Sequence, residues 1–159
     1  SDIVLGNTLG QWRALLMDGT SVSAQWTGGS STDNAADANS AFIGVADFNG
    51  DLRADLLMRD TTTTELRFIT VDSTGTMTAQ YLGATGAGWD VAGTGDMTGD
   101  GRADILFRNA NGDLYAWSVN HTGYTGGAWI GSAGSDWQVK ELADYTGDDK
   151  ADILFQQDG

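Results

Sequence analysis

Three features of this 159-residue sequence predict an all-β fold of four-stranded antiparallel sheets, repeated about every 48 residues and stacked as propeller blades. The first is an acidic nonapeptide that occurs three times in register. It reads Asp47-Phe48-Asn49-Gly50-Asp51-Leu52-Arg53-Ala54-Asp55, then Asp96-Met97-Thr98-Gly99-Asp100-Gly101-Arg102-Ala103-Asp104, then Asp144-Tyr145-Thr146-Gly147-Asp148-Asp149-Lys150-Ala151-Asp152. The second is the apolar run after each copy, Leu56-Leu57-Met58, Ile105-Leu106-Phe107 and Ile153-Leu154-Phe155. Such a run needs burial on both faces, whereas a half-exposed strand alternates. The third is punctuation: no proline, 23 glycines and no helical stripe, which suits short strands joined by tight turns.

The period sets the organisation. Asp47, Asp96 and Asp144 are 49 and 48 residues apart, and Asp55, Asp104 and Asp152 keep the same spacing. A two-sheet sandwich has no reason to hold so strict a repeat; stacked blades do. Extended backwards, the register aligns Ser1-Asp2-Ile3-Val4-Leu5 with Ala54-Asp55-Leu56-Leu57-Met58, so the chain is expected to start and stop inside repeats.

In the middle unit the strands are expected at 91–95, 104–108, 114–119 and 128–130. Asn111-Gly112 supplies the turn between the second and third, and a glycine-bearing turn near Gly123 leads to the fourth. Leu66 to Val71 and Trp12 to Met17 match the third strand, while Gln80-Tyr81 and Gln25-Trp26 match the fourth. Two complete blades then run from Phe42 to Leu82 and from Val91 to Ile130, with partial blades at both ends. Residues 28–40 form a polar insertion, expected as a surface loop.

Within each nonapeptide, carboxylates stand at positions 1, 5 and 9 and an amide or hydroxyl at position 3. Alternating oxygen donors around a glycine-eased turn are what a hard cation such as calcium takes. The candidate ligands are Asp47, Asn49, Asp51 and Asp55; Asp96, Thr98, Asp100 and Asp104; Asp144, Thr146, Asp148 and Asp152. The position-7 carbonyls of Arg53, Arg102 and Lys150 are further donors. An EF-hand is excluded, because it needs glycine at position 6 and glutamate at 12, where this chain has Leu52, Gly101 or Asp149 and then Met58, Phe107 or Phe155. The competing reading is an aspartate-rich turn whose side chains cap backbone amides.

The Asp-x-Asn/Thr-Gly-Asp-x-x-x-Asp loop followed by an Ile-Leu-Phe strand resembles the FG-GAP/VCBS repeats, including those of the integrin α-subunit propeller. The Phe-Gly and Gly-Ala-Pro elements of the integrin pattern are absent, which places the likeness nearer the bacterial VCBS type. The resemblance implies a β-propeller with calcium in the hairpin between the first and second strands of each blade, about three ions per chain. It also implies a mainly structural role for the metal, a non-catalytic module binding proteins or glycans, and an extracellular or cell-surface setting.

Composition narrows the alternatives. The formal net charge is −14, with only eight Lys and Arg, which argues against nucleic acid. Nine of the 22 acidic side chains stand at positions 1, 5 and 9 of the loops, so three divalent ions would bring the charge to −8. The absence of cysteine excludes disulfides and thiolate metal sites. No apolar run reaches membrane-spanning length. The single histidine, His121, sits in an expected turn with no nucleophile motif behind it, and no enzyme is expected. Trp26, Tyr81 and Trp129 share one register, as do Trp89 and Trp137, and are expected to pack between blades; a lectin binding sugar in those clefts is the alternative. Three blades do not readily close a ring. The chain is therefore expected to be part of a longer propeller, or half of a ring completed by a second copy.

Overall fold

The computed structural model describes residues 3–6, 12–18, 20–28, 39–71 and 76–157. Ser1, Asp2 and most of the polar insertion, residues 29–38, lie outside them. The described chain is β throughout: β1 (Ile3–Gly6), β2 (Trp12–Asp18), β3 (Ser21–Gly28), β4 (Ser40–Ala46), β5 (Asp55–Asp60), β6 (Glu65–Val71), β7 (Met77–Ala84), β8 (Trp89–Gly95), β9 (Asp104–Asn109), β10 (Asp113–Asn120), β11 (Gly123–Ser132), β12 (Trp137–Ala143) and β13 (Asp152–Gln157).

Each sheet is an antiparallel meander in chain order. β4 to β7 and β8 to β11 form the two complete four-stranded sheets; β1 to β3 and β12 with β13 form partial ones. The expected four-strand unit is therefore present twice, with boundaries within a few residues of those expected. The fourth strand is the exception: β11 runs Gly123–Ser132, much longer than the expected 128–130. The sheets stack in sequence, β8 lying beside β4 on one side and beside β12 on the other, with β7 beside β11. This is a propeller-like arrangement, and no closed ring is seen among the described residues.

One irregularity repeats with the sequence. In the first strand of each unit an extra residue bulges out of the ladder: Ile43 in β4, Ala92 in β8 and Lys140 in β12. A bulge sharpens the local twist, and here it falls just before each acidic loop.

Two of the three doubly apolar runs are buried as their composition demands. The third, Ile153-Leu154-Phe155 in β13, is only partly covered, with Leu154 45% exposed, because β13 lies in a two-stranded partial sheet. Leu56, Leu57 and Met58 in β5, and Ile105, Leu106 and Phe107 in β9, are all buried. The core lies between the two complete sheets. Phe48, Leu57, Leu66, Phe68 and Leu82 from one meet Ala103, Ile105, Phe107 and Val119 from the other. Phe48 stacks on Phe68 at 5.5 Å between ring centroids, and Phe107 meets Trp117 edge-on at 4.8 Å.

The aromatic expectation is corrected in part. Trp89 and Trp117 pack against this core, but Tyr81 and Trp129 are 56% and 58% exposed on the fourth strands, and Trp137 is 38% exposed. Cβ atoms alternate across a strand, and at the shared register of Tyr81 and Trp129 the side chain points to solvent rather than between sheets. The side chain of Trp26 lies outside the described residues.

Candidate metal loops and the joints between them

The three loops join the first and second strands of their units and share one hydrogen-bonding frame. In the first, Asp47 Oδ1 accepts from the amides of Gly50 (2.6 Å) and Asp51 (3.2 Å), and its Oδ2 from that of Leu52 (2.7 Å). In the second, Asp96 accepts from Gly99, Asp100 and Gly101; in the third, Asp144 accepts from Gly147, Asp148 and Asp149. These amide bonds hold the Asp144 carboxyl below the usual range, the Gly147 amide first among them. The position-5 aspartates accept from position 7, Arg53 to Asp51, Arg102 to Asp100 and Lys150 to Asp148.

Position 9 closes the frame. Asp55 Oδ2 accepts from the amide of Phe48, Asp104 Oδ2 from Met97 and Thr98, and Asp152 Oδ2 from Tyr145 and Thr146, all at 3.0–3.1 Å. Asp104 Oδ1 also accepts from the buried Val119 amide. Asp55 and Asp104 are each only 1% exposed. Burial pushes the Asp55 carboxyl up to about 7, with the charges of Asp51 and Asp47 adding to the effect against the Phe48 amide. Burial raises Asp104 as well.

Amide capping by aspartate is therefore present in all three loops. Position 3 divides: Asn49 Oδ1 accepts from the Asp51 amide at 2.8 Å, whereas Thr98 and Thr146 stand in its place in the other loops. Among the described residues, no group of three or more Asp, Glu, His or Cys side chains is gathered so as to hold a metal ion. The donor chemistry nevertheless suits a hard cation, since each loop brings three carboxylates and a neutral oxygen into nine residues.

Two features escaped the sequence reading. The backbone at position 6 is left-handed in every loop, at Leu52 (φ 66°), Gly101 (φ 81°) and Asp149 (φ 64°). Only Gly101 announced it. The second feature is that the loops are chained together. The Ala103 amide, at position 8, donates to the Asp47 carbonyl of the preceding loop, and Ala151 donates likewise to Asp96. The basic residue at position 7 lies over the preceding loop's position-4 glycine, Arg102 over Gly50 and Lys150 over Gly99.

A further pair of contacts ties each complete sheet to the next. Arg59, near the end of β5, reaches Asp90 Oδ1 (2.9 Å), Thr85 Oγ1 (3.0 Å) and the Trp89 carbonyl (2.9 Å). Its equivalent, Arg108, donates to the carbonyls of Gly134 and Ser135. Beside the first of these ties a cleft of about 280 Å³ opens, lined by Thr85, Gly86, Trp89, Phe107, Tyr115 and Trp117.

Neither the curated proteins nor the solved structures compared with this chain match it. A family profile does. Residues 47–107, from the first acidic loop through β9, match the one described as an FG-GAP-like repeat, and the chain carries that repeat there.

Proposed function

We propose that this chain is a calcium-stabilised, propeller-type binding module without catalytic activity of its own. The observation that carries the reading is the thrice-repeated loop, which places Asp47, Asp51 and Asp55 and their counterparts within nine residues of one hydrogen-bonded turn. Calcium would be held by Asp47, Asn49, Asp51 and Asp55, by Asp96, Thr98, Asp100 and Asp104, and by Asp144, Thr146, Asp148 and Asp152, with the position-7 carbonyls as added donors. Bound there, the ion supplies the charge that the clustered carboxylates need. Its free energy goes into holding the blade hairpins, at about 2.7 kcal/mol per site when calcium exceeds the dissociation constant a hundredfold. Loops of this kind suit an extracellular or cell-surface setting, where modules bind calcium at 10⁻⁴–10⁻³ M.

Calorimetric titration with calcium tests the proposal, together with melting in calcium and in chelator. Heat of binding and a higher melting temperature with calcium support it, with Asp100→Ala removing about one of three sites. An absence of binding heat together with an unchanged melt would overturn it.

The ligand class in this reading is protein or glycan. The cleft walled by Trp89, Tyr115 and Trp117, with the Thr85 hydroxyl at its side, favours a second reading as a lectin, since sugar rings stack on aromatic faces. A glycan array with the unmodified chain and with Tyr115→Ala decides between them. Retention of one sugar class that the variant loses supports the lectin, and an empty array removes it.

A further inference from the structure

The cleft beside the Arg59 tie is walled chiefly by aromatic rings. Trp89, Phe107, Tyr115 and Trp117 come from the second complete sheet, and Thr85 and Gly86 from the connection between β7 and β8. The two sheets that meet there, β4 to β7 and β8 to β11, are both complete.

The repeat itself does not require these rings. Ser40 pairs with Asp60 as Trp89 pairs with Asn109, and Met58 pairs with Arg67 as Phe107 pairs with Tyr115. Ile69 pairs with Leu56 as Trp117 pairs with Ile105. Four positions that hold Ser40, Met58, Arg67 and Ile69 in one sheet are therefore all aromatic in the other, although both sheets build the same strands.

The rings stand as walls. Trp89 and Tyr115 meet at 6.4 Å between centroids and 66° between planes, Phe107 and Trp117 at 4.8 Å and 63°. Rings set so steeply to one another make the sides of a box, where a flat platform would need them parallel. Glycine backbone backs three of them. A Cβ on Gly83 would lie 3.4 Å from Trp117, on Gly86 3.5 Å from Trp89, and on Gly127 2.6 Å from Tyr115.

We propose that this cleft binds a quaternary ammonium group, held by cation–π attraction to the Trp89, Tyr115 and Trp117 rings. Such a ligand lies beyond the two readings above and depends on neither. It has no N–H to satisfy, and no carboxylate or amide side chain lines the cleft to accept one. A primary ammonium stripped of water there would go unpaired. Sugar hydroxyls also need acceptors, and Thr85 and Tyr115 supply the lining's only side-chain oxygens. Charge favours a cation, because the chain carries a formal −14. Arg59, which bonds Thr85 Oγ1, is neutralised by Asp90 at 2.9 Å.

Titration of the full chain in millimolar calcium with choline, read by calorimetry and tryptophan fluorescence, tests the assignment. Saturable binding that perturbs the indole emission is expected. Dimethylbutanol, the uncharged isostere, and ethanolamine, which keeps the charge without the methyl groups, should each bind at least about tenfold more weakly. Equal affinity for either overturns the inference, as does a response still linear at tens of millimolar choline. Binding of glucose, galactose, mannose or N-acetylglucosamine in place of choline overturns it in favour of the lectin. Gly86 has no left-handed backbone, and its Cβ would make only ordinary contact with Trp89, so Gly86→Leu should fill the cleft and leave the walls standing. A variant that melts as the unmodified chain does and no longer binds choline is expected; undiminished binding overturns the inference. Asp90→Asn is the second variant, since it frees the Arg59 charge beside Thr85. It should weaken choline and spare dimethylbutanol, and an unchanged choline affinity counts against the site.

Discussion

The amide of Ala103 donates to the carbonyl of Asp47 at 2.7 Å, 56 residues away in sequence and one blade away in space. The contact places one acidic loop directly on the next, so the loops form a line along the first strands β4, β8 and β12. Loop conformation and the spacing of the sheets are therefore coupled through the same short segments.

Packing along that line is tightest at Gly93. A Cβ there would lie 2.5 Å from Leu142 Cδ1, whereas nothing lies within 4 Å of one at the equivalent Gly44. Gly93→Ala is expected to displace the end of the Leu142 side chain and to destabilise by about 1 kcal/mol, the low end of the overpacking range. Gly44→Ala should be neutral or stabilising by up to about 1 kcal/mol. Urea unfolding of both variants checks the contrast; equal effects would contradict it.

Leu52 is 92% exposed and holds φ at 66°, a conformation that costs a residue with a Cβ about 1–2 kcal/mol. Leu52→Gly loses no buried contact and should raise the melting temperature. The converse change at Gly101 (φ 81°), Gly101→Leu, should lower it.

Arg59 separates charge from hydrogen bonding. Its partner Asp90 is 84% exposed, so Asp90→Asn should change stability by less than about 1 kcal/mol. Arg59→Met also removes the bonds to Thr85 Oγ1 and the Trp89 carbonyl, which are partly buried. A loss of about 1–3 kcal/mol is expected, readable in the same denaturation series.

Without calcium, pH should act through Asp55 and Asp104. Both carboxyls are raised in the folded protein, Asp55 from 3.8 to about 7. The folded state thus binds more protons than the unfolded one in that window, and stability falls as pH rises from about 4 to 7. Asp60 and Asp144 are lowered, so their contribution is lost only as pH falls below about 4. Melting in chelator across pH 4–8 reads the slope. Calcium should flatten it and release protons near pH 6, measurable with a pH indicator.

The repeat, the β class, the acidic loops and the burial of β5 and β9 on both faces were legible in the sequence, because each is a local pattern with a fixed period. The partial exposure of β13 was not, because it depends on what lies beside that strand. Asp47, Asp96 and Asp144 stand at the start of equivalent turns because each loop repeats the same aspartates at positions 1, 5 and 9 and the same glycine at position 4. Tertiary structure decided what lay beyond one repeat. Whether Trp89 and Trp129 are covered or exposed depends on the neighbouring sheet, and spacing along one strand does not report it. The Ala103–Asp47 and Ala151–Asp96 bonds likewise join loops through backbone groups that every residue possesses, so no side-chain pattern announces them. Only the stacking of one sheet on the next brings those groups within reach.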